Sequence, residues 1–361
     1  MKNKNQQNLS ESFIINNYLK KLNFRKKESF NFENDGAYLN ISQNNKIVVS
    51  NDTVVEGVDF FTHDSADSVA HKIICCNLSD ISSMGAVPYC FSLSLGLPKK
   101  ISKKWLHSFS SKILKLQKKY KFFLLGGDIA QTKDIVISAT FFGKISKSKI
   151  MRRDGAKIND DIWVTGNLGN SFAGLMLKTN TIKANQSIKK FFIKKYLYPN
   201  PCMIGNKLGL IATSAIDISD GFYGDLDKIL LQKNLGANIF LESIPILPKL
   251  KNLIRLNKIT MNKLLSAGDD YEILFTSNPK KRNFINALSK KNKIKINKLL
   301  SAGDDYEILF TSNPKKRNFI NALSKKIKKK ITKVGTIINK KGIYIDGKIL
   351  NLNKRSFQYH F

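Results

Sequence analysis

Acidic residues are scarce in this chain. Its 361 residues hold 27 Asp and Glu against 61 Lys and Arg, a formal net charge of +34. Cysteine is also rare. Cys75, Cys76, Cys90 and Cys202 form no C-x-x-C pair, so a zinc site or a disulfide framework is not expected and a reducing compartment fits. No apolar run approaches the roughly 18 residues that a membrane span needs. The N-terminal MKNKNQQNLSES lacks the apolar stretch of a signal peptide, and a cytoplasmic protein is expected. Also missing are the Walker G-x-x-x-x-G-K-[ST], the H-R-D and D-F-G pair, and the G-x-S-x-G elbow. Their absence sets aside P-loop, protein-kinase and α/β-hydrolase chemistry.

The excess of base could signal nucleic-acid binding. The lysines, however, are scattered, as in KKLNFRKK, PKKISKK and SKKIKKK. No zinc finger, RNP motif or periodic aromatic-basic interleaving accompanies them. The charge follows a general bias toward Lys, Asn, Ile and Phe, so neither a nucleic-acid nor a membrane partner is expected. It should still draw anionic substrates in a salt-dependent way. Salt-sensitive nucleic-acid binding without ATP turnover is the competing reading.

The length suggests two domains. Residues 10–22 read as an amphipathic helix capped by Ser10, and 46–50 as a short strand. A helix over 66–84 stops at Gly85, and another spans 102–119. Strands are expected at 89–96, 122–126 and 135–143. Polar and basic residues at 144–152 mark a boundary, giving domains 1–148 and 149–361 of a mixed α/β fold. Beyond it, 161–165 reads as a strand and GNLGNSFAGLML as a turn opening a helix. The apolar segment 208–218 leads into DISDG, and 222–232 is expected to be helical.

Residues 262–291 recur identically at 297–326. Solenoid repeats diverge and number at least three. Two identical copies indicate a tandem duplication, each copy reading as loop, strand, turn and helix. One copy is surplus to the original fold, and the sequence does not say which.

The few acids keep unusual company. They lie beside Gly, Ser or Asn in NDGA (34–37), SNDT (50–53), NLSD (77–80), GGD (126–128), DISDG (217–221) and AGDDYE (267–272). Glycine lets backbone approach a ligand closely. Aspartate offers the hard oxygen that magnesium prefers beside phosphate and water. Several loops each delivering an aspartate would build a multi-metal phosphate site. Taken singly, Asp80 could be a helix-surface charge, Ser50 and Asp52 could cap a turn, and Asp217 and Asp220 could serve a helix dipole. His71 reads as a packing residue.

In order, NDGA, SNDTVVEGVDF, HKIICCNLSDISSMGAVP, LLGGD, RRDGAKINDDIWVTGNLG, SAIDISDGFYGDL and AGDDYEILF resemble the thiamine-monophosphate kinase family, from about residue 11 to the C-terminus. The resemblance implies the two-domain fold shared with aminoimidazole ribonucleotide synthetase, its N-terminal sheet pairing across a homodimer. It implies ATP and magnesium in a cleft between the domains, with thiamine monophosphate as acceptor. Asp35, Ser50, Asn51, Asp52, Asp80, Asp128, Asp217 and Asp220 then correspond to magnesium ligands. Gly127, Arg153 and Ser219 correspond to ATP contacts. Asp59, one of Asp269 and Asp304, and Phe357 correspond to substrate contacts. Departures are Glu33-Asn34-Asp35 for the family's GDD, Asn51 for a threonine, Asp59 for a histidine, and Tyr198-Pro199-Asn200-Pro201-Cys202 for R-P-x-P-R. Another ATP-dependent enzyme of the superfamily, or a kinase disabled by its duplication, remains the alternative.

An acceptor that is itself a phosphate is already anionic near neutral pH. No strong base is needed, and positioning with charge neutralisation carries the reaction. Beyond the metal ligands, no separate catalytic side chain is expected.

Overall fold

The computed structural model describes residues 9–24, 26–32, 37, 39, 41–146, 150–256, 258–267, 272–277, 279, 308–312, 320–321, 324 and 331–350. Asp35, Asp269, Asp304 and Phe357 lie outside these described residues. The chain divides into two units, Met1–Ile81 with Ala86–Lys147, and Ser82–Gly85 with Ser148–Phe361. Among the described residues no helix is long and apolar enough to cross a membrane.

The first unit begins with α1 (Glu11–Ile14), where Ser10 Oγ accepts from Phe13 N at 3.2 Å as an N-cap. The expected single helix instead continues as a π turn (Ile15–Leu19) and a 3-10 turn (Lys20–Leu22). A short α2 (Lys26–Ser29) follows. Then come β1 (Asn45–Val55), α3 (Ala66–Ser83), β2 (Val87–Leu97), α4 (Lys103–Tyr120), β3 (Phe123–Gln131) and β4 (Val136–Ser146). The strands form a sheet in the order β1-β4-β2-β3, leaving β1 and β3 as its two edges. β1 runs five residues beyond the expected Ser50, because Asn45 to Val55 register without a break against Ser146 to Val136 of β4. Phe91, Phe122 and Phe141 are fully buried and mutually in ring contact, with centroids 5.0–5.5 Å apart. α3 adds Ile73, Ile74, Leu78 and Ile81, and α4 adds Leu106, Phe109 and Ile113. Ser102 caps α4 and Lys121 ends it in the left-handed region.

The second unit contains β5 (Asp161–Thr165), α5 (Asn170–Lys178), α6 (Gln186–Leu197), α7 (Gly205–Leu208), β6 (Ala212–Ile218), α8 (Phe222–Leu231) and β7 (Gly236–Ile239). These are followed by α9 (Pro248–Arg255), α10 (Met261–Leu265), β8 (Glu272–Ser277), β9 (Ile308–Ser312), β10 (Ile331–Ile338), β11 (Gly342–Ile345) and β12 (Lys348–Ile349). The sheet order is β12-β11-β7-β10-β5-β8-β6-β9, with an additional β8–β9 pairing. Its core joins Ile162 and Val164 of β5, Ile216 and Ile218 of β6, Leu274 of β8 and Val334 of β10 to Phe222, Tyr223 and Leu226 of α8. A polar layer runs through the sheet. Thr276 Oγ1 lies 2.5 Å from both Thr213 Oγ1 and Ser214 Oγ, and Thr213 Oγ1 donates to buried Asp160 at 2.7 Å. Such buried hydroxyls specify register, because a one-residue slip would leave them unpaired. Both copies of the duplication therefore contribute a strand, β8 from the first and β9 from the second.

Candidate active site

Alternation along β1 places Ser50 and Asp52 on one face of the sheet. α3 brings Asp80 to the same place, and Ser50 Oγ donates to Asp80 Oδ2 at 2.6 Å. Asp52 Oδ2 is buried and, among the described residues, no donor other than the facing Asp80 carboxyl is at hand. Burial pushes the Asp52 carboxyl up to about 7, and the negative charge of Asp80 adds to the shift. Two facing carboxylates, one with an orphaned buried oxygen, are costly without a cation. A divalent metal with oxygen preference fits this set, with phosphate and water oxygens completing its shell. Asn51 points differently. Its Nδ2 donates to Thr140 Oγ1 at 2.8 Å on β4, which holds the side chain on the sheet face away from Ser50 and Asp52.

Asp128 is exposed on β3, in register with Ser94 of β2. The strand order puts it three strand spacings from β1, or about 14 Å at the usual separation. Within one unit, then, Asp128 does not join Asp52 and Asp80. Among the described residues no three carboxylates, histidines or cysteines come together in a metal-binding group.

Asp128 instead lines a cleft of 560 Å³ between the β2–β3 edge and the N-terminal turns. Ser92 and Ser94 face it from β2, Gly126 and Gly127 from β3, and Ile15 and Leu19 from the opposite wall. The β2–β3 register shifts between Phe91 and Ser92, so a bulge opens at the cleft. A Cβ at Gly126 would meet nothing within 4 Å, whereas one at Gly127 would lie 1.9 Å from Leu93 O. Gly127 is thus required by strand packing, and Gly126 leaves backbone open to a ligand. Sequence reasoning singled out the Gly126–Gly127 pair, assigned Gly127 to ATP, and missed Ser92 and Ser94. Only the doubled glycine signalled them.

Asp59 closes the turn after β1. Its Oδ2 accepts from Val55 N at 2.8 Å, and its backbone oxygen accepts from Lys72 Nζ at 2.9 Å. One carboxylate oxygen is therefore committed to the local fold.

In the second unit, Asp217 is buried at the end of β6, followed by partly buried Ser219 and Asp220. Gly221 has φ +108° and its Cβ position would lie 2.8 Å from Ala267 O, so glycine alone fits between this turn and the start of AGDDYE. Asp225 of α8, fully buried, reaches back and accepts from Asp220 N at 3.0 Å. Lys228 Nζ then binds Asp220 Oδ2 at 2.5 Å and Asp225 Oδ1 at 2.8 Å. Burial pushes the Asp225 carboxyl up to about 6, against the pull of Lys228. Asp220 is therefore already neutralised by an internal cation. Sequence reasoning missed Asp225 and Lys228, although both follow DISDG within one helix. Arg153 is exposed in the short 3-10 turn Arg153–Gly155, and no hydrogen-bond or ion-pair partner is seen for it among the described residues. Its neighbour Arg152 pairs with Asp154 at 2.5 Å.

Residues 33–145 match the model of the AIR synthase related protein, N-terminal domain. A thiamine-monophosphate kinase of Buchnera aphidicola subsp. Schizaphis graminum is 38% identical over 287 residues, which cover 78% of this chain and 87% of that protein. The chain belongs to the thiamine-monophosphate kinase family. Among solved structures, that of a thiamine-monophosphate kinase from Stenotrophomonas maltophilia K279a superposes with a TM-score of 0.76 at 26% identity. The match covers 95% of this chain and 98% of that one. A further structure, complexed with AMPPCP and TMP, shares the fold with a TM-score of 0.70 at 23% identity, over 89% and 90% of the two chains. The family's fold is thus the mixed α/β architecture described above.

Proposed function

We propose that this protein transfers the γ-phosphoryl group of ATP to thiamine monophosphate, giving thiamine diphosphate and ADP. Family membership supports the reaction, as does a neighbour of the same fold complexed with AMPPCP and TMP. The observation that carries the chemistry is the Asp52–Asp80 pair with its orphaned, desolvated oxygen. Ser50, Asp52 and Asp80 would hold magnesium, which supplies neutralisation of phosphate charge. Asp35, the Asn51 carbonyl, Asp128, Asp217 and Asp220 are the further proposed ligands.

The cleft beside Ser92, Ser94 and Gly126–Gly127 is the proposed ATP pocket, its backbone amides and hydroxyls suited to nucleotide oxygens. Arg153 and Ser219 are proposed to add contacts to the triphosphate. Asp59, Asp269 or Asp304, and Phe357 are proposed to hold the thiamine ester. In the transfer, an acceptor phosphate oxygen forms a bond to the γ-phosphorus as the bridging bond to the β-phosphate breaks. The electron pair leaves on ADP. No proton need be removed from an acceptor that is already ionised, so the residues orient and neutralise.

We further propose a homodimer in the cytoplasm. Among the described residues the first unit's sheet ends in two edges, β1 and β3, and edges are seldom left unpaired or unprotected. Pairing β1 of one copy with β3 of another would carry Asp128 of a partner subunit toward β1.

The test is chromatographic: thiamine monophosphate, ATP and magnesium with the parent and with Asp80→Asn. Thiamine diphosphate from the parent and a loss of at least about a hundredfold in the variant are expected. A folded, ATP-binding parent that makes no product would refute the assignment.

A further inference from the structure

The two copies of the duplication converge on one place in the sheet. Ala215 of β6 registers with Phe275 of β8 and also with Phe310 of β9. β8 and β9 pair with each other in parallel at Ile273↔Ile308 and Phe275↔Phe310. β8 thus has β5, β6 and β9 as partners, whereas one strand has only two hydrogen-bonding edges. Two identical strands address one position.

Both copies also contribute buried residues. From the first copy, Leu264, Leu265, Leu274 and Thr276 are buried, and from the second, Ile320 and Ser324. Their counterparts in the other copy are Leu299, Leu300, Leu309, Thr311, Ile285 and Ser289.

We propose that β8 and β9 are alternative occupants of a single position between β5 and β6, so that the chain carries a spare core strand able to replace the first. Both segments read ILFTS over their shared five residues. Leu274 enters the core and Thr276 the Thr213–Ser214 hydroxyl layer, and the second copy carries the same leucine and threonine, Leu309 and Thr311, at the matching positions of its sequence. Side-chain energetics therefore cannot choose between them, and only chain connection can. With β8 in place the connections are residues 266–271 and 278–330. With β9 they are 266–307 and 313–330. Loop-closure entropy then favours β8 by roughly fourfold, so both states are populated.

The inference concerns folding and stands apart from the assigned chemistry. Deletion cannot test it, because removing 262–296 or 292–326 gives one and the same sequence. Point variants of the full chain can. A carboxylate at the leucine position should exclude its own strand and leave the other to fill the sheet. Leu274→Asp and Leu309→Asp should each unfold within about 3 °C of the parent, while the double variant should lose about 10 °C or fail to fold. The milder pair Leu274→Ala and Leu309→Ala keeps the test readable if the aspartates do not fold. Its combined loss should clearly exceed the sum of the single losses. The proposal is overturned if either single aspartate variant is as damaged as the double, which would make one strand the sole occupant. It is equally overturned if the double variant matches the parent.

Discussion

Replacing Asp52 with asparagine should stabilise the metal-free protein while abolishing its response to metal. An aspartate in the unfolded chain ionises near 3.8, but burial and Asp80 push Asp52 up to about 7. Between those values the native state holds a proton that the unfolded state has released. Metal-free stability should therefore fall as pH rises from about 4 to about 7 and level off above. The shift sets a ceiling of about 4 kcal/mol, and solvent relaxation around a partly accessible pair reduces this to about 2 kcal/mol. Asparagine carries no charge at any pH, and its amide can donate to Asp80. At pH 8 without metal, Asp52→Asn should melt about 5 °C above the parent, and at pH 4 the two should coincide. Added magnesium or manganese should raise the parent's melting temperature and leave the variant unmoved. Differential scanning fluorimetry across pH, with and without metal, reads all three effects. A variant less stable than the parent at pH 8 that still responds to metal would refute the reasoning about this pair.

Three further expectations follow from the geometry. Lys228→Met removes the cation that pairs with buried Asp225 and should cost about 3 kcal/mol at pH 8, measured by urea unfolding. Because the Asp225 carboxyl already stands at about 6, the loss should shrink by pH 5, where it takes up a proton; a pH-independent loss would point to packing instead. Arg153→Ala, at an exposed arginine with no observed partner, should raise the KM for ATP about tenfold and change that for thiamine monophosphate little. Equal effects on both would assign it a structural role. Deleting 262–296 should leave a folded, active enzyme, seen by circular dichroism and the chromatographic assay, since one copy suffices for the sheet.

Much of the fold was legible because apolar patterning and end signals agree. Ser10 caps the helix it was expected to cap, Ser102 caps the helix expected to begin with it, and Gly85 and Gly169 take the positive φ their turns need. β1 was read short for a physical reason. Its second half, Asn51 to Val55, begins with Asn51 and Asp52, residues that weaken any strand signal. The ladder to β4 imposes extension there, so the residues proposed to hold metal are the ones that hid the strand. The same limit applies to the site. Sequence order could name Ser50, Asp52 and Asp80, and the structure unites them. It could not reveal that Asp128 sits on the opposite sheet edge, or that Lys228 already claims Asp220, because strand order and a helix-borne counter-ion are properties of packing.

The duplication shows a different limit. A repeat identical at every position gives local sequence no means of preferring one copy, so no refinement of propensity or pattern could assign the native strand. What breaks the tie is connection. The first copy follows directly on α10, and its short link to β8 gives it the entropic advantage, while the second copy runs into β10. Selection on such a chain would act on the pair of copies rather than on either alone. A damaging substitution in one strand would be masked by the other, so the core position most protected from mutation in this protein is the one encoded twice.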